Sequence, residues 1–285
     1  MIDETIYRKV LAMHQPTVVS LLRARAITIA PWPFLFRCNI CGRITPTLLR
    51  WAVYRDFPSC SHCGSTSRVR QIVHTLSYEL FGKDISLLSF PRRLDISGCD
   101  LSGWSGYALW LASTFNYRNT FYHQDPHLDI TAVPDDWLGR FDFVIASDVF
   151  EHVVPPVEQA FAGLRALLKP DGFAIFSVPY LPISATEERY PELYDFHIEN
   201  DEQGPILINM TRDGRSQEFR DLVFHGGDGL VLEMRCFAES DLLAQFSKAG
   251  FTATQVPRYV PRRGILDFSA HSHLFVLRPA GSAAV

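Results

Sequence analysis

The sequence predicts an α/β fold built on a doubly wound, mostly parallel sheet, with a small cysteine-rich module ahead of it. Three observations carry that expectation. Residues 141–179, FDFVIASDVFEHVVPPVEQAFAGLRALLKPDGFAIFSVP, run as buried strand, polar loop, amphipathic helix, turn and second buried strand, which is one βαβ unit. Cys38-Asn-Ile-Cys41-Gly and Cys60-Ser-His-Cys63-Gly form two C-x-x-C knuckles separated by 18 residues. With 47% apolar residues, a chain of 285 can bury the core of one large domain and a smaller one.

Taken in order, residues 1–36 are expected to be a helical or linker segment, and residues 37–68 a zinc ribbon held by Cys38, Cys41, Cys60 and Cys63. A glycine follows each knuckle because the chain must turn sharply for its amides to approach the thiolates. Leu48 to Val53 suits a short hairpin between them, and buried free thiols or disulfides are the alternative to metal. Residues 69–81 carry a helical pattern, and Leu94-Asp95-Ile96 is read as the end of the first strand. A loop follows with Ser97, Gly98, Gly103 and Gly106, then a helix over Tyr107 to Leu111 and a second strand from Asn119 to Pro126.

Phe141 to Ala146 is apolar on both alternating faces apart from Asp142, the signature of a strand covered on both sides. Ser147, Asp148, Glu151 and His152 follow at the carboxyl end of that strand, where open α/β sheets bind ligands. Val157, Ala160, Phe161, Leu164, Leu167 and Leu168 then recur at helical spacing, and Lys169-Pro170-Asp171-Gly172 stops the helix before the strand Phe173 to Val178. Residues 181–234 are a charged, aromatic insertion ending in a Gly226-Gly227-Asp228-Gly229 run suited to a mobile or tightly turned loop. A final helix over Phe237 to Phe251 precedes Thr252 to Val256 and His273 to Leu277, an expected antiparallel pair.

The order strand, S-D-V-F-E-H-V, helix, L-L-K-P-D-G, strand, S-V-P resembles class I S-adenosylmethionine-dependent methyltransferases, especially their small-molecule branch. The resemblance covers roughly Arg93 to Leu277. It implies a Rossmann-like methyltransferase fold with a seven-stranded sheet, a methyltransferase domain over residues 69–285, and an acceptor-covering cap at about 181–234. It also implies S-adenosylmethionine as cofactor, with a structural zinc in the ribbon. The cofactor would be held by Asp95, Ser97, Gly98 and Gly103 of the first loop, Asp125 on the ribose, Asp129 and Ile130 near adenine, and Ser147 and Asp148 at the fourth strand. The first loop departs from the family's D-x-G-x-G-x-G spacing.

Methyl transfer from a sulfonium is an in-line displacement, so alignment and exclusion of water supply most of the acceleration. A base is needed only where the acceptor must lose a proton, and His152 with Glu151 is the candidate. Asp148, Glu151 and His152 also match the D/E-x-x-E-H arrangement that holds a divalent cation in some quinone-pathway relatives.

Charge is unevenly distributed. Residues 1–94 hold 13 Lys/Arg against 5 Asp/Glu, about +8, and the remainder is about −12, for a net −4 overall. Such asymmetry fits either an anionic partner for the front or an electrostatic dock between the two parts. The leading expectation is methyl transfer to a small-molecule or sugar-like acceptor. The alternatives are an RNA methyltransferase gripping nucleic acid through its arginine-rich ribbon, or a non-catalytic binding protein that keeps the fold. No apolar run approaches the roughly 20 residues of a membrane span, and the first residues lack a secretory pattern, so a cytoplasmic location is expected. The sequence leaves oligomeric state open.

Overall fold

The computed structural model describes residues 32–225, 231–268 and 272–281. The expected helical or linker segment lies almost wholly outside them, as does the glycine run at 226–229.

A six-stranded sheet organises the fold, in the order β15 (Phe251–Gln255), β18 (Phe275–Pro279), β6 (Leu168–Ser177), β5 (Phe141–Ser147), β3 (Arg93–Leu101) and β4 (Phe115–Thr120). Its parallel part comprises β3, β4, β5 and β6. The last two strands, β18 and β15, run antiparallel as the sequence suggested. Strand β5 shows why the apolar run reads as doubly covered: Val144 and Ala146 enter one core with Phe161, Leu164 and Phe246, and Phe143 and Ile145 enter the other with Ile72, Leu76 and Leu111. Truncating a fully buried phenylalanine such as Phe143 to alanine removes about 3–5 kcal/mol.

The sheet has six strands rather than the expected seven, and Leu128 to Thr131, which resembles the family's short third strand, stays outside it. The Asp129 carboxylate accepts from both the backbone N and Oγ1 of Thr131, at 2.8 and 2.7 Å, so the segment closes into a turn. The first strand is also longer than expected, continuing through Ser97 and Gly98 to Leu101. Gly98 is a packing residue there, because a Cβ at that position would sit 2.1 Å from the Phe143 ring. The second strand starts and ends earlier than expected, leaving Asp125 in the exposed loop beyond it.

Helix α2 (Ser67–Phe81) is capped by Thr66, whose hydroxyl accepts from the Val69 amide, and it stops at Gly82, whose φ of +66° suits glycine. Helix α3 (Ser105–Thr114) follows β3, α4 (Glu158–Leu167) joins β5 to β6, and α5 (Glu239–Lys248) precedes β15. The cysteine module is a hairpin of β1 (Pro33–Arg37) and β2 (Ile44–Leu48) followed by one helical turn, α1 (Leu49–Ala52). The hairpin therefore starts before residue 37 and embraces the first knuckle, while Leu49 to Ala52 is helical. Phe36, Ile40 and Cys60 share a core with Val69, Ile72 and Phe143, so the module is continuous with one face of the main domain.

The insertion builds its own three-stranded antiparallel sheet, β9 (Asp195–Asp201), β10 (Gly204–Met210) and β11 (Ser216–Phe219), over a small core of Tyr190, Leu193, Leu207, Leu232 and Met234. The short strands β12 (Phe224–His225), β13 (Val231–Leu232) and β14 (Arg235–Ala238) bring the insertion back against the end of β5. There the Met234 amide donates to Glu151 O and the Arg235 guanidinium to Phe150 O, both at 2.7 Å.

Candidate active site and metal centre

The order of the parallel strands reverses between β3 and β5, and the carboxyl ends of those strands define the crevice where open α/β sheets bind ligands. Both ends carry a non-glycine residue in the left-handed region, Ser102 at φ 61° and Asp148 at φ 58°. Such conformations cost about 1 kcal/mol or more and concentrate at binding sites. A cavity of about 280 Å³ opens beside Ser102, lined by Asp100, Ser102, Gly103, Trp104, Tyr107 and Ser147 on the main domain and by Gly64, Thr66 and Arg68 from the cysteine module and the start of α2.

Asp100 is the acid that the sequence reading missed. It lies just before the Ser102-Gly103-Trp104-Ser105-Gly106 turn, 1% exposed, and accepts hydrogen bonds from Tyr107 Oη and Tyr117 Oη at 2.7 and 2.9 Å. Burial pushes its carboxyl up to about 7 even though both phenol hydroxyls favour the ionised form. Gly103 is required beside it, since a Cβ would stand 2.3 Å from Asp100 Oδ2. The Gly103 amide donates to Asn119 Oδ1 at 2.7 Å. An acid immediately before the S-G-x-S-G run was the available signal.

The expected cofactor residues divide accordingly. Gly103 and Ser147 line the cavity. Asp95 is exposed near the start of β3, paired with Arg93, and Ser97 holds Asp142 through its amide and hydroxyl, so neither stands at the carboxyl end of the strand. Asp129 caps its own turn, while Ile130 is buried in the core.

Asp148 is engaged by the cysteine module. Arg55 grips it with two bonds, NH1 to Oδ2 at 2.6 Å and NH2 to Oδ1 at 2.9 Å, and also donates to Ser177 Oγ at 3.0 Å. Arg68 approaches the same carboxylate at 3.4 Å and donates to Ser147 Oγ at 3.0 Å. Burial alone would raise the Asp148 carboxyl, but the two guanidinium charges hold it well below the usual carboxylate range. Asp56 completes the cluster by pairing with both arginines.

The four cysteine sulfurs converge, with Cys38 Sγ 3.8 Å from Cys63 Sγ and Cys41 Sγ 3.8 Å from Cys60 Sγ. Zn–S bonds of about 2.3 Å in a tetrahedron require S···S edges of about 3.8 Å. Ser65 Oγ lies 3.3 Å from Cys38 Sγ, and Thr45 Oγ1 lies 3.3 Å from Cys60 Sγ, as hydroxyls supporting thiolates would. Arg70 is fully buried and, among the described residues, has no carboxylate partner; its guanidinium donates to Ser65 O, Ser65 Oγ, Ser59 Oγ and Gly264 O. Burial lowers its proton affinity, and the neighbouring cysteines restore part of it. Cys38, Cys41, Cys60 and Cys63 would hold a zinc ion, and a doubly negative tetrathiolate would supply the counter-charge this cation lacks. His62 is not among the converging groups, which are the four cysteines; its Nε2 sits 3.2 Å from Ile44 O.

Beyond Asp148 a 3₁₀ turn, Phe150–His152, carries the two expected catalytic groups. Glu151 is completely buried, and neither carboxylate oxygen has a hydrogen-bond partner. Desolvation, followed by the charge of Asp148, raises its carboxyl well above the usual range. His152 Nδ1 lies 2.9 Å from Leu232 O and must carry the proton to bond it, which leaves Nε2 with a free lone pair. Burial lowers the basicity of this imidazole. His225 from the insertion stacks edge-on against it, with ring centroids 4.8 Å apart. Asp148 does not converge with Glu151 and His152 as a third ligand; the arginine clamp takes it, and His225 stands in that place.

The family described as a methyltransferase domain matches residues 72–256, and the chain belongs to that family. No curated protein matches the chain. Among solved structures, similar ones include an S-adenosylmethionine-dependent methyltransferase from Clostridium acetobutylicum ATCC 824 at 12% identity and TM-score 0.45, covering 75% of this chain and 92% of that one. PH0226 protein from Pyrococcus horikoshii OT3 aligns at 17% identity and TM-score 0.43 over 79% and 97% of the two chains. CalS10, an amino pentose methyltransferase from Micromonospora echinaspora, aligns at 15% identity and TM-score 0.40 over 75% and 92%.

Proposed function

We propose that the protein transfers a methyl group from S-adenosylmethionine to a small-molecule or sugar-like acceptor, and that its cysteine module is a zinc ribbon forming one wall of the cofactor site. The observation that carries this reading is the cavity at the carboxyl ends of β3 and β5, shared by Gly103, Asp100 and Ser147 with Arg68. The cofactor bears an ammonium and a sulfonium charge, and Asp100 with the turn at Ser102 and Gly103 offers a carboxylate and close backbone approach to such a ligand. Arg68 offers a guanidinium for its carboxylate. The acceptor then lies toward His152 and Glu151 under the insertion, with His152 Nε2 able to take a proton where the acceptor must lose one.

The arginines favour a small acceptor over RNA. Arg55 is committed to Asp148 and Asp56, and Arg70 is buried, so part of the basic front of the sequence serves to dock the module on the main domain. Among the described residues no helix is long and apolar enough to cross a membrane.

Calorimetric titration with S-adenosylmethionine tests the reading. The zinc-loaded chain should bind it in the micromolar range, and Gly103→Ala should weaken binding at least tenfold. A zinc-loaded, folded chain that binds no cofactor overturns the proposal. Filter binding that shows a salt-sensitive RNA complex would transfer the reading to an RNA acceptor.

A further inference from the structure

Glu151, His152 and His225 present one donor atom each within 4.8 Å of one another. Glu151 Oε1 is 3.7 Å from His152 Nε2, too long for a hydrogen bond. A buried carboxylate with both oxygens unpartnered is costly to maintain, because its desolvation is offset by nothing on the protein. Here it faces two imidazoles, one of which must hold its proton on the far nitrogen.

We infer that Glu151, His152 and His225 form a second metal site, for a divalent first-row transition-metal cation. Each imidazole is arranged as a ligand would be. His152 donates from Nδ1 to Leu232 O, which fixes the ring and leaves Nε2 free. His225 Nε2 lies 2.9 Å from Glu233 Oε2, and Glu233 is itself held by Arg189 Nε at 2.8 Å. That is a carboxylate–histidine relay leaving Nδ1 as the coordinating atom. One carboxylate and two imidazoles suit borderline cations such as Zn²⁺, Co²⁺ or Fe²⁺ better than Mg²⁺ or Ca²⁺, which prefer all-oxygen shells. Metal–ligand bonds of about 2.1 Å need donor separations of about 3.0–3.4 Å, so the three donors draw together as the cation binds.

The ligands come from two parts of the chain, Glu151 and His152 from the segment after β5 and His225 from the insertion. The cation therefore ties the insertion to the tip of the central sheet. With the cation bound, His152 Nε2 is a ligand and no longer a base; three protein ligands leave coordination positions open, where an acceptor oxygen or nitrogen can bind and lose its proton to solvent. This assignment does not depend on the cofactor, so its test is separate from that of methyl transfer.

The test adds Co²⁺ to the full-length, zinc-loaded chain and follows visible absorption and metal content. One equivalent of Co²⁺ should bind with weak ligand-field bands and without the intense thiolate-to-cobalt band that replacement of zinc in the ribbon would produce. Glu151→Gln keeps the shape of a side chain that has no hydrogen bonds to lose, and His225→Gln alters a partly exposed residue. Each should weaken Co²⁺ binding at least tenfold while zinc stays at one equivalent, and Glu233→Gln should weaken it less. Uptake of Co²⁺ only with the thiolate band, or equal affinity in wild type, Glu151→Gln and His225→Gln, overturns the assignment. Loss of methyl transfer with Co²⁺ binding intact would instead count against the proposed reaction alone.

Discussion

Arg55 and Asp148 stand 93 positions apart in the chain and form a two-bond ion pair at 2.6 and 2.9 Å, joining the cysteine module to the tip of the central strand. Their side chains are 13% and 19% exposed, so the pair is largely desolvated. Asp148 also sits in the left-handed region, and the guanidinium meets it there.

Removing one partner leaves the other charge buried. Arg55→Ala should destabilise the fold by about 3 kcal/mol, at the low end of the range for breaking a buried pair because Arg68 still reaches Asp148. Arg55→Ala with Asp148→Asn should recover part of the loss. Urea unfolding of the single and double variants measures this, and additive effects would show that the pair is not coupled.

Asp100 gives the fold a pH dependence of opposite sign to that of Asp148. Its carboxyl is raised from the ordinary 3.8 to about 7, so between those values the native state keeps a proton that the unfolded chain releases. That contribution is fully present below about pH 3.8 and is lost as pH rises through 7. Asp100→Asn stays neutral, so its stability relative to wild type should climb from pH 5 to 7 by up to about 1.4 kcal/mol per unit. Thermal unfolding at several pH values measures the slope, and parallel curves would contradict it.

Zinc removal should reach the cavity through Arg55 and Arg68. A strong chelator, or Cys38→Ser, should unfold the hairpin and abolish calorimetric binding of S-adenosylmethionine, with at least a tenfold loss of affinity. Retained affinity in chain shown to be zinc-free would separate the ribbon from the site.

Ser102 occupies φ 61° where glycine would be unstrained. Ser102→Gly should therefore stabilise the chain by a few tenths to about 1 kcal/mol, read as a rise in melting temperature. A fall would mean that the hydroxyl makes a contribution larger than the strain.

The legible parts of the sequence were those with local periodicity. Val144 and Ile145 show both faces of β5, and Phe161 and Leu164 show the stripe of α4, because burial on a regular element leaves a repeat. The end of β3 was misplaced by five residues because Ser97, Gly98 and Asp100 carry no β-branched signal. Gly98 is there for the Phe143 ring of the neighbouring strand, which only the sheet register reveals. The cysteine knuckles were visible from spacing alone, whereas Arg55 on Asp148 and His225 beside His152 are joined by tertiary folding and leave no mark on nearby residues. Asp129 illustrates a different failure: its segment resembles a short strand of the family, but its own carboxylate turns the chain.

Arg70 reaches the carbonyl of Gly264, 194 positions later, at 2.7 Å. During synthesis the cysteine module leaves the ribosome early, yet both Asp148 and Gly264 are made long after it. Arg70 and Arg55 must therefore persist without these final partners until Gly264 and Asp148 have been made. Docking of the module is thus a late, long-range closure.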